Sequence, residues 1–372
     1  MPDVLILTAS YGSGHNRVAA ALAEGLAAEG ATVETIEHFE RFVSPAFARA
    51  TRALFWLILR RAPRLWGAAY ALSARLPTRS PAMAGLDRLG ARALGRHLAA
   101  TRPDVVAHVH PTPAGAMSWL RGHGATDVPH AIVLTDFVAH GQWIYPHVDR
   151  YFVPTDAIRD GMTALGVPPD RVVSSGLPIS LAFAAPADRA ALRARLGLEA
   201  ETPAILVTSG MQGRLGAIAE VCEVLAGLVA SFRAIVVCGE HDELAAGLRS
   251  RYRGDGRFRI LGRVDDMHHV VGAVDLVVTK GGAVTCAEAL ALERPLLFYR
   301  SLPGQERANE MCLEQAGAGI RMPHRAALTA ELRSLLREPS RRAAMAAAAR
   351  RLRRPEAART VAKELLAMAR VS

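Results

Sequence analysis

The sequence predicts an α/β protein made of two doubly wound, Rossmann-like domains, each a parallel sheet with helices on both faces. Three observations carry this. Short apolar, β-branched runs recur along the 372 residues with helical segments between them. The runs are continuous rather than alternating, so both faces of each strand are buried, as happens between two helix layers. They also form two series, each opening with a strand that runs into a glycine-rich turn.

In order, the first series places strands at Val4–Ser10, Thr32–Phe39, Asp104–His110, Ala131–Phe137 and Tyr151–Thr155. After the first strand, Val18, Ala21, Leu22 and Leu26 recur at helical spacing. Gly176, Pro178 and Pro186 interrupt the pattern and mark a join near 174–198. The second series places strands at Ala204–Gly210, Ala234–Gly239, Phe258–Gly262, Leu276–Thr279 and Pro295–Tyr299. Beyond Pro339 the chain turns Ala- and Arg-rich and reads as helix. The expected division is 1–175, 176–338 and a helical tail over 339–372 that packs back on the first domain. In open parallel sheets ligands sit at the carboxyl ends of strands, so two such domains are expected to face a cleft.

Half of the chain is hydrophobic (51%) and 22% is charged, a globular balance. The net charge of +10 is local. From Arg41 to Arg102 there are twelve Arg, no Lys and one acid, Asp87; the remainder holds 33 basic and 34 acidic residues. A protein that tracks a nucleic-acid groove spreads its cations along the phosphates, so no nucleic-acid partner is expected. Cys222, Cys238, Cys286 and Cys312 lack metal-ligand spacing and read as reduced core thiols. The chain opens Met-Pro-Asp and passes straight into a strand, so no signal peptide is expected. The longest tempting apolar run, Ala53 to Leu59, is far short of a bilayer span.

Chemistry concentrates just after the strands. The first turn runs Thr8-Ala-Ser-Tyr-Gly12-Ser-Gly14-His15. Its glycines let backbone approach a ligand at a helix N-terminus, where free N–H groups favour anions. Glu37 stands at a plausible ribose distance for a dinucleotide site, but Gly14 is followed by His15, Asn16 and Arg17, so the third glycine of that fingerprint is missing. His15 is a candidate general base or a packing residue. A second turn, Thr208 to Arg214, contributes Gly210 and Gly213. The third, Thr279-Lys280-Gly281-Gly282 through Thr285 to Glu288, combines a cation, two glycines and a hydroxyl at a helix start, a donor set for phosphate oxygens. Glu288 could accept from ribose hydroxyls or be a solvated helix acid. A fourth loop carries Gln305, Glu306 and Asn309, which match sugar hydroxyls. Asp265 and Asp266 are adjacent rather than spaced as a DxD, and read as a solvated turn.

These motifs, with Thr135-Asp136-Phe137, His140, Trp143, Asp149 to Thr155, Gly176-Leu-Pro-Ile179 and Pro303 to Glu306, resemble the lipid-glycosylating branch of the GT-B glycosyltransferases, family 28. That branch holds bacterial processive diacylglycerol β-glucosyltransferases and plant monogalactosyldiacylglycerol synthase, with the lipid II N-acetylglucosaminyltransferase more distant. The resemblance implies inverting transfer of a hexose, glucose favoured over galactose, from UDP-hexose to diacylglycerol, with no cofactor and no metal. By similarity Lys280, Gly282, Thr285 and Glu288 hold diphosphate and ribose, Val264 the uracil, and Gln305, Glu306 and Asn309 the hexose. Gly14, Gly210 and Gly213 line the same site. His15 lies at the reaction centre, with Asp136 as a second base or a group orienting it, and His140 and Trp143 toward the acceptor. The first domain then takes the acceptor and the second the UDP-sugar. Ala283 departs from the family's Gly or Pro, and Met211-Gln212 depart in the second turn.

Around the start of the basic window, Phe39, Phe42, Phe47, Phe55, Trp56, Trp66 and Tyr70, seven of twenty aromatics, interleave with Arg41, Arg49, Arg52, Arg60, Arg61 and Arg64. By residue type this is either a helix pair with a solvated Arg face or rings and cations suited to an anionic membrane surface. A diacylglycerol acceptor favours the second, with the protein peripheral at the cytoplasmic face. Arg341 to Arg354 is a weaker candidate of the same kind. A polyprenyl-linked sugar acceptor, or a UDP-sugar hydrolase or epimerase of similar fold, are the competing functions.

Overall fold

Both series of apolar runs form parallel sheets in the computed structural model, which describes residues 1–73, 85, 88–185, 188–208 and 215–369. The chain divides into two compact units. The first comprises Met1–Leu181, Pro303–Gln305 and the segment from Arg354; the second comprises Ala182–Leu302 and Glu306–Arg353.

The first sheet contains β1 (Asp3–Thr8), β2 (Thr32–Glu37), β3 (Val105–His108), β4 (His130–Val133), β5 (Arg150–Val153) and β6 (Val172–Ser174), in the order β2-β1-β3-β4-β5-β6. Val4 pairs in register with Val33 on one side and Val105 on the other. The strand order reverses between β1 and β3, which is where a doubly wound sheet opens a crevice for ligand. The strand expected over Thr32–Phe39 stops at Glu37, because a single π turn, Phe39–Val43, rolls Phe39 and Phe42 inward. Phe42 joins Leu5, Leu7, Ile36, Leu94, Val106 and Met117 in the core.

The second sheet contains β7 (Ala204–Thr208), β8 (Arg233–Val237), β9 (Phe258–Leu261), β10 (Leu276–Thr279), β11 (Leu296–Tyr299) and β12 (Gly319–Met322), in the order β12-β11-β10-β7-β8-β9. Its reversal lies between β7 and β10. Ile205, Val207, Ile218, Phe232, Val236 and Leu332 belong to its core. Strands β6 and β12 lie at sheet edges and were not anticipated from the sequence.

The Ala- and Arg-rich tail is not one piece. Helix Pro339–Leu352 belongs to the second unit, and helix Ala357–Ala369 to the first. The last helix buries Ala358, Val361, Ala362 and Leu365 completely. It lies so close to helix Ser13–Ala28 that a β-carbon on Gly25 would sit 2.7 Å from the Ala358 carbonyl oxygen. Its neighbour's arginines are engaged: Arg350 and Arg353 bind Glu293, and Arg341 binds Glu331. Cys222, Cys238 and Cys286 are buried free thiols, whereas Cys312 is partly exposed. Among the described residues no helix is long and apolar enough to cross a membrane.

Candidate active site

In the first unit, chemistry gathers where β1, β3 and β4 end. His15 sits in the first turn of helix Ser13–Ala28. Its Nδ1 donates to the carbonyl oxygen of Val109, just past β3, at 2.7 Å, and lies 3.1 Å from Thr135 Oγ1, just past β4. A carbonyl oxygen only accepts, so Nδ1 carries the proton and Nε2 keeps its lone pair. The ring retains some solvent access, but protein crowds it: His110 lies edge-on at 4.9 Å and Trp143 at 6.5 Å between centroids. Desolvation lowers the His15 pKa to about 4 against the raising effect of the Val109 bond. The imidazole is therefore neutral at physiological pH and its free nitrogen is a hydrogen-bond acceptor. The contacts that fix the ring come from Val109 and Thr135; Asp136, next along, places its charge against Tyr70, whose hydroxyl is pushed up by burial and then by that carboxylate.

The surrounding turn is built for backbone exposure. A β-carbon on Gly12 or Gly14 would meet nothing within 4 Å, so both leave open space at the helix N-terminus. Glu37, the would-be ribose acid, instead accepts from the backbone N–H of Ser10 (2.9 Å) and of Glu40 (2.6 Å). It braces the turn, and the dinucleotide reading loses its acid. His140 and Trp143 are buried, His140 against the Tyr70 ring at 4.7 Å.

Helices Pro45–Arg61 and Pro63–Ser73 carry five of the twelve arginines of the basic window, and their half-buried rings pack partly on one another. Phe55 and Trp66 pack edge-on at 5.0 Å, and Phe55 also meets Tyr11. Trp66 Nε1 donates to Gln305 Oε1 at 3.3 Å within the same unit, which gives Gln305 a partner other than a sugar. Trp56 is half-buried. The exposed apolar groups are leucines: Leu54 (56%), Leu57 (51%), Leu65 (62%) and Leu72 (60%), beside exposed Arg60, Arg61 and Arg64. Residue type points to the aromatics as the membrane-facing groups, whereas these leucines are the more exposed.

In the second unit the reversal between β7 and β10 opens a pocket lined by Thr208, Ile218, Val278, Thr279, Lys280 and Tyr299. Gly210 and Gly213 lie outside the described residues. Lys280 Nζ bonds to Glu306 Oε1, and Glu306 Oε2 accepts from the backbone N–H of Leu302 at 2.8 Å. Asn309 is completely buried and its Nδ2 donates to the Gly281 carbonyl oxygen at 2.9 Å. Glu306 and Asn309, expected at the hexose, thus hold the Lys280–Gly281 turn in this structure. Gly282 caps helix Ala283–Ala291 without a side-chain bond, and a β-carbon there would meet only Lys280 Cε at 3.8 Å. Thr285 is partly exposed on that helix, whereas Glu288 is 3% exposed, which excludes the solvated-acid alternative. Val264 is half-buried, ahead of helix Met267–Ala273, and Asp265 and Asp266 are exposed. The arrangement offers a helix N-terminus, bare backbone and a lysine to an anion.

Comparison with known proteins follows these two halves. The family model for monogalactosyldiacylglycerol (MGDG) synthase matches residues 15–179, and the glycosyltransferase family 28 C-terminal domain matches residues 204–362. The chain is 29% identical over 369 residues to a processive diacylglycerol beta-glucosyltransferase of Bacillus mycoides (strain KBAB4), covering 98% of this chain and 94% of the relative. The protein of the same name in Bacillus cereus (strain AH187) is 29% identical over 367 residues, with the same coverage. Among solved structures, Acinetobacter baumannii MurG superposes with a TM-score of 0.67 at 16% identity, over 99% of this chain and all (100%) of that one. LpCGTa in complex with UDP superposes at 0.61 with 18% identity, over 100% of both. The fold is GT-B.

Proposed function

We propose that this chain, which belongs to the MGDG-synthase branch of glycosyltransferase family 28, transfers a hexose with inversion from a UDP-sugar to the hydroxyl of diacylglycerol, glucose before galactose. The observation that carries the reading is the fixed tautomer of His15: with Nδ1–H committed to Val109, Nε2 is free to take a proton. In the reaction Nε2 accepts the proton of the acceptor hydroxyl. The hydroxyl oxygen bonds to the anomeric carbon while the bond from that carbon to the diphosphate oxygen breaks, and UDP departs with the electron pair.

The second unit retains the donor. Lys280 and the N-terminus of helix Ala283–Ala291 favour negative charge developing on UDP, and this supports transfer without a metal. Buried Glu288 is the candidate for the ribose hydroxyls. The leucines and arginines of Pro45–Ser73 suit a peripheral contact with an anionic, cytoplasmic membrane face, where diacylglycerol resides.

The test is incubation with UDP-glucose and, separately, UDP-galactose, each with diacylglycerol in phosphatidylglycerol-containing vesicles, followed by lipid analysis. A hexosyl-diacylglycerol is the expected product. Loss or epimerisation of the UDP-sugar without any glycolipid refutes the reading, as does glycosylation confined to a polyprenyl-linked sugar.

A further inference from the structure

We propose that Glu310, acting through Ser301, is a positioning residue for the Lys280–Gly281–Gly282 turn and takes up a proton when the donor's diphosphate binds there. The inference rests on the reading of the second unit as the UDP-sugar site. The turn is pinned by the segment that follows β11. Ser301 Oγ accepts from the Gly281 N–H at 2.7 Å, while Asn309 holds the Gly281 carbonyl oxygen from the other side. Ser301, having accepted that bond, still has its own hydroxyl proton to give, and Glu310 receives it. The placement of Ser301 is enforced by Arg300, the preceding residue, which adopts a left-handed φ of 59° and is anchored by two 3.1 Å bonds to Glu220. The relay therefore runs from the Gly281 amide through Ser301 to Glu310.

The charge around this relay is poorly matched to an anion. Glu288, Glu306 and Glu310 are all buried, and the cation of the turn, Lys280, is bonded to Glu306. The groups that face Glu310 are Ser301, Glu306 from its own helix, Arg307 and Arg321 as cations, and the Cys286 thiol from helix Ala283–Ala291. Burial, and then the Glu306 carboxylate, push Glu310 up to about 7 against the pull of Ser301, Arg307 and Arg321. Cys286 feels the same surplus: burial, then Glu310, Glu306 and Glu288, raise it well above an ordinary thiol. A diphosphate at the turn adds further negative charge and disfavours ionised Glu310. One proton from solvent neutralises Glu310, and the neutral carboxyl still hydrogen-bonds Ser301, so the relay stays intact as the charge falls.

The probe is UDP-glucose, whose diphosphate has no ionisation near neutrality, titrated calorimetrically in buffers of different ionisation enthalpy. At about pH 8 the intact chain takes up close to one proton per UDP-glucose, and affinity weakens several-fold from about pH 6 to about pH 8. Glu310→Gln retains an oxygen for Ser301 but cannot titrate; it binds with no proton uptake and a flat pH profile. Ser301→Ala lowers affinity at every pH and, by removing the bond that holds Glu310 down, moves the pH dependence to higher pH. Binding without proton uptake in the wild type, or an unchanged slope in Glu310→Gln, overturns this inference alone. No binding of UDP-glucose at any pH overturns the donor reading, and this inference with it.

Discussion

Gly281→Ala tests the architecture of the donor turn more severely than any charged substitution. The added β-carbon would lie 2.1 Å from the Glu306 carbonyl oxygen, 2.9 Å from its carbonyl carbon and 2.8 Å from Glu310 Cγ. The first two obstacles are backbone, so no side-chain rotation relieves them. The turn must move away from helix Gln305–Gln315 by about an ångström, which strains packing at a typical cost of ~1–3 kcal/mol. That movement breaks the bonds from the Gly281 N–H to Ser301 and from Asn309 to the Gly281 oxygen, and leaves the buried Asn309 amide with less than its due. Each lost bond is worth about 1 kcal/mol. The expected loss of stability is about 3–5 kcal/mol, read by urea unfolding, with UDP-glucose binding abolished alongside. Gly282→Ala is the control, because its β-carbon has room and its φ is −73°. Its stability is expected within about 0.5 kcal/mol of wild type, while an approaching donor meets the new methyl and binds more weakly. Wild-type stability in Gly281→Ala, or equal behaviour of the two variants, refutes the account of the turn.

His15→Ala is expected to abolish transfer while UDP-glucose binding stays within about twofold, a difference of under 1 kcal/mol; turnover near wild type removes His15 from the mechanism. His38 is fully buried with its pKa lowered to about 4 from 6.5 by desolvation, against its bond to Leu89. A folded-state pKa below the unfolded one means that the unfolded chain binds more protons in that window. The stability of the first unit is thus complete above about pH 6.5 and falls as pH drops toward about 4, by about 1 kcal/mol per pH unit for each such histidine. Denaturant melts across that range check it, and a flat profile contradicts it. Leu365→Ala in the wholly buried last helix is expected to cost ~2–5 kcal/mol in the same melts; a change below about 0.5 kcal/mol would show that this helix is not core. Replacing Leu57 and Leu65 with Ser should weaken cosedimentation with phosphatidylglycerol vesicles and leave the melt unchanged, and undiminished binding moves the membrane contact elsewhere.

The strands that were legible are those whose apolar runs are long enough to be buried on both faces, such as Val4–Leu7 and Ile205–Val207. Edge strands β6 and β12 were not, because three or four residues with one solvated side leave almost no pattern. Residue chemistry at the strand ends was legible by type: a histidine in one turn, and a lysine, glycines and acids in another. The roles were less so. Nothing local tells that Asn309 turns inward to a carbonyl 28 positions earlier, or that Glu306 bonds a lysine 26 positions away. The His15 partners, Val109 and Thr135, lie 94 and 120 positions off and are joined to it only by the strand order. The aromatic cluster was legible only by type for a related reason: rings on the two basic helices pack on one another, and the leucines between them are the more exposed apolar groups.

The manner in which the first unit is assembled bears on how the protein is made. Its sheet is encoded at the start of the chain, yet the helix that seals Gly25 against Ala358 is encoded at the end, with the whole second unit between them. During synthesis every residue of the second unit is made before the first receives its closing helix. Until residues 357–369 emerge, the face of helix Ser13–Ala28 around Gly25 lacks its cover, although the face on β1 and β2 can already pack. A chain truncated after residue 353 and released from the ribosome is accordingly expected to hold a folded second unit beside a first unit still open to chaperones and proteases.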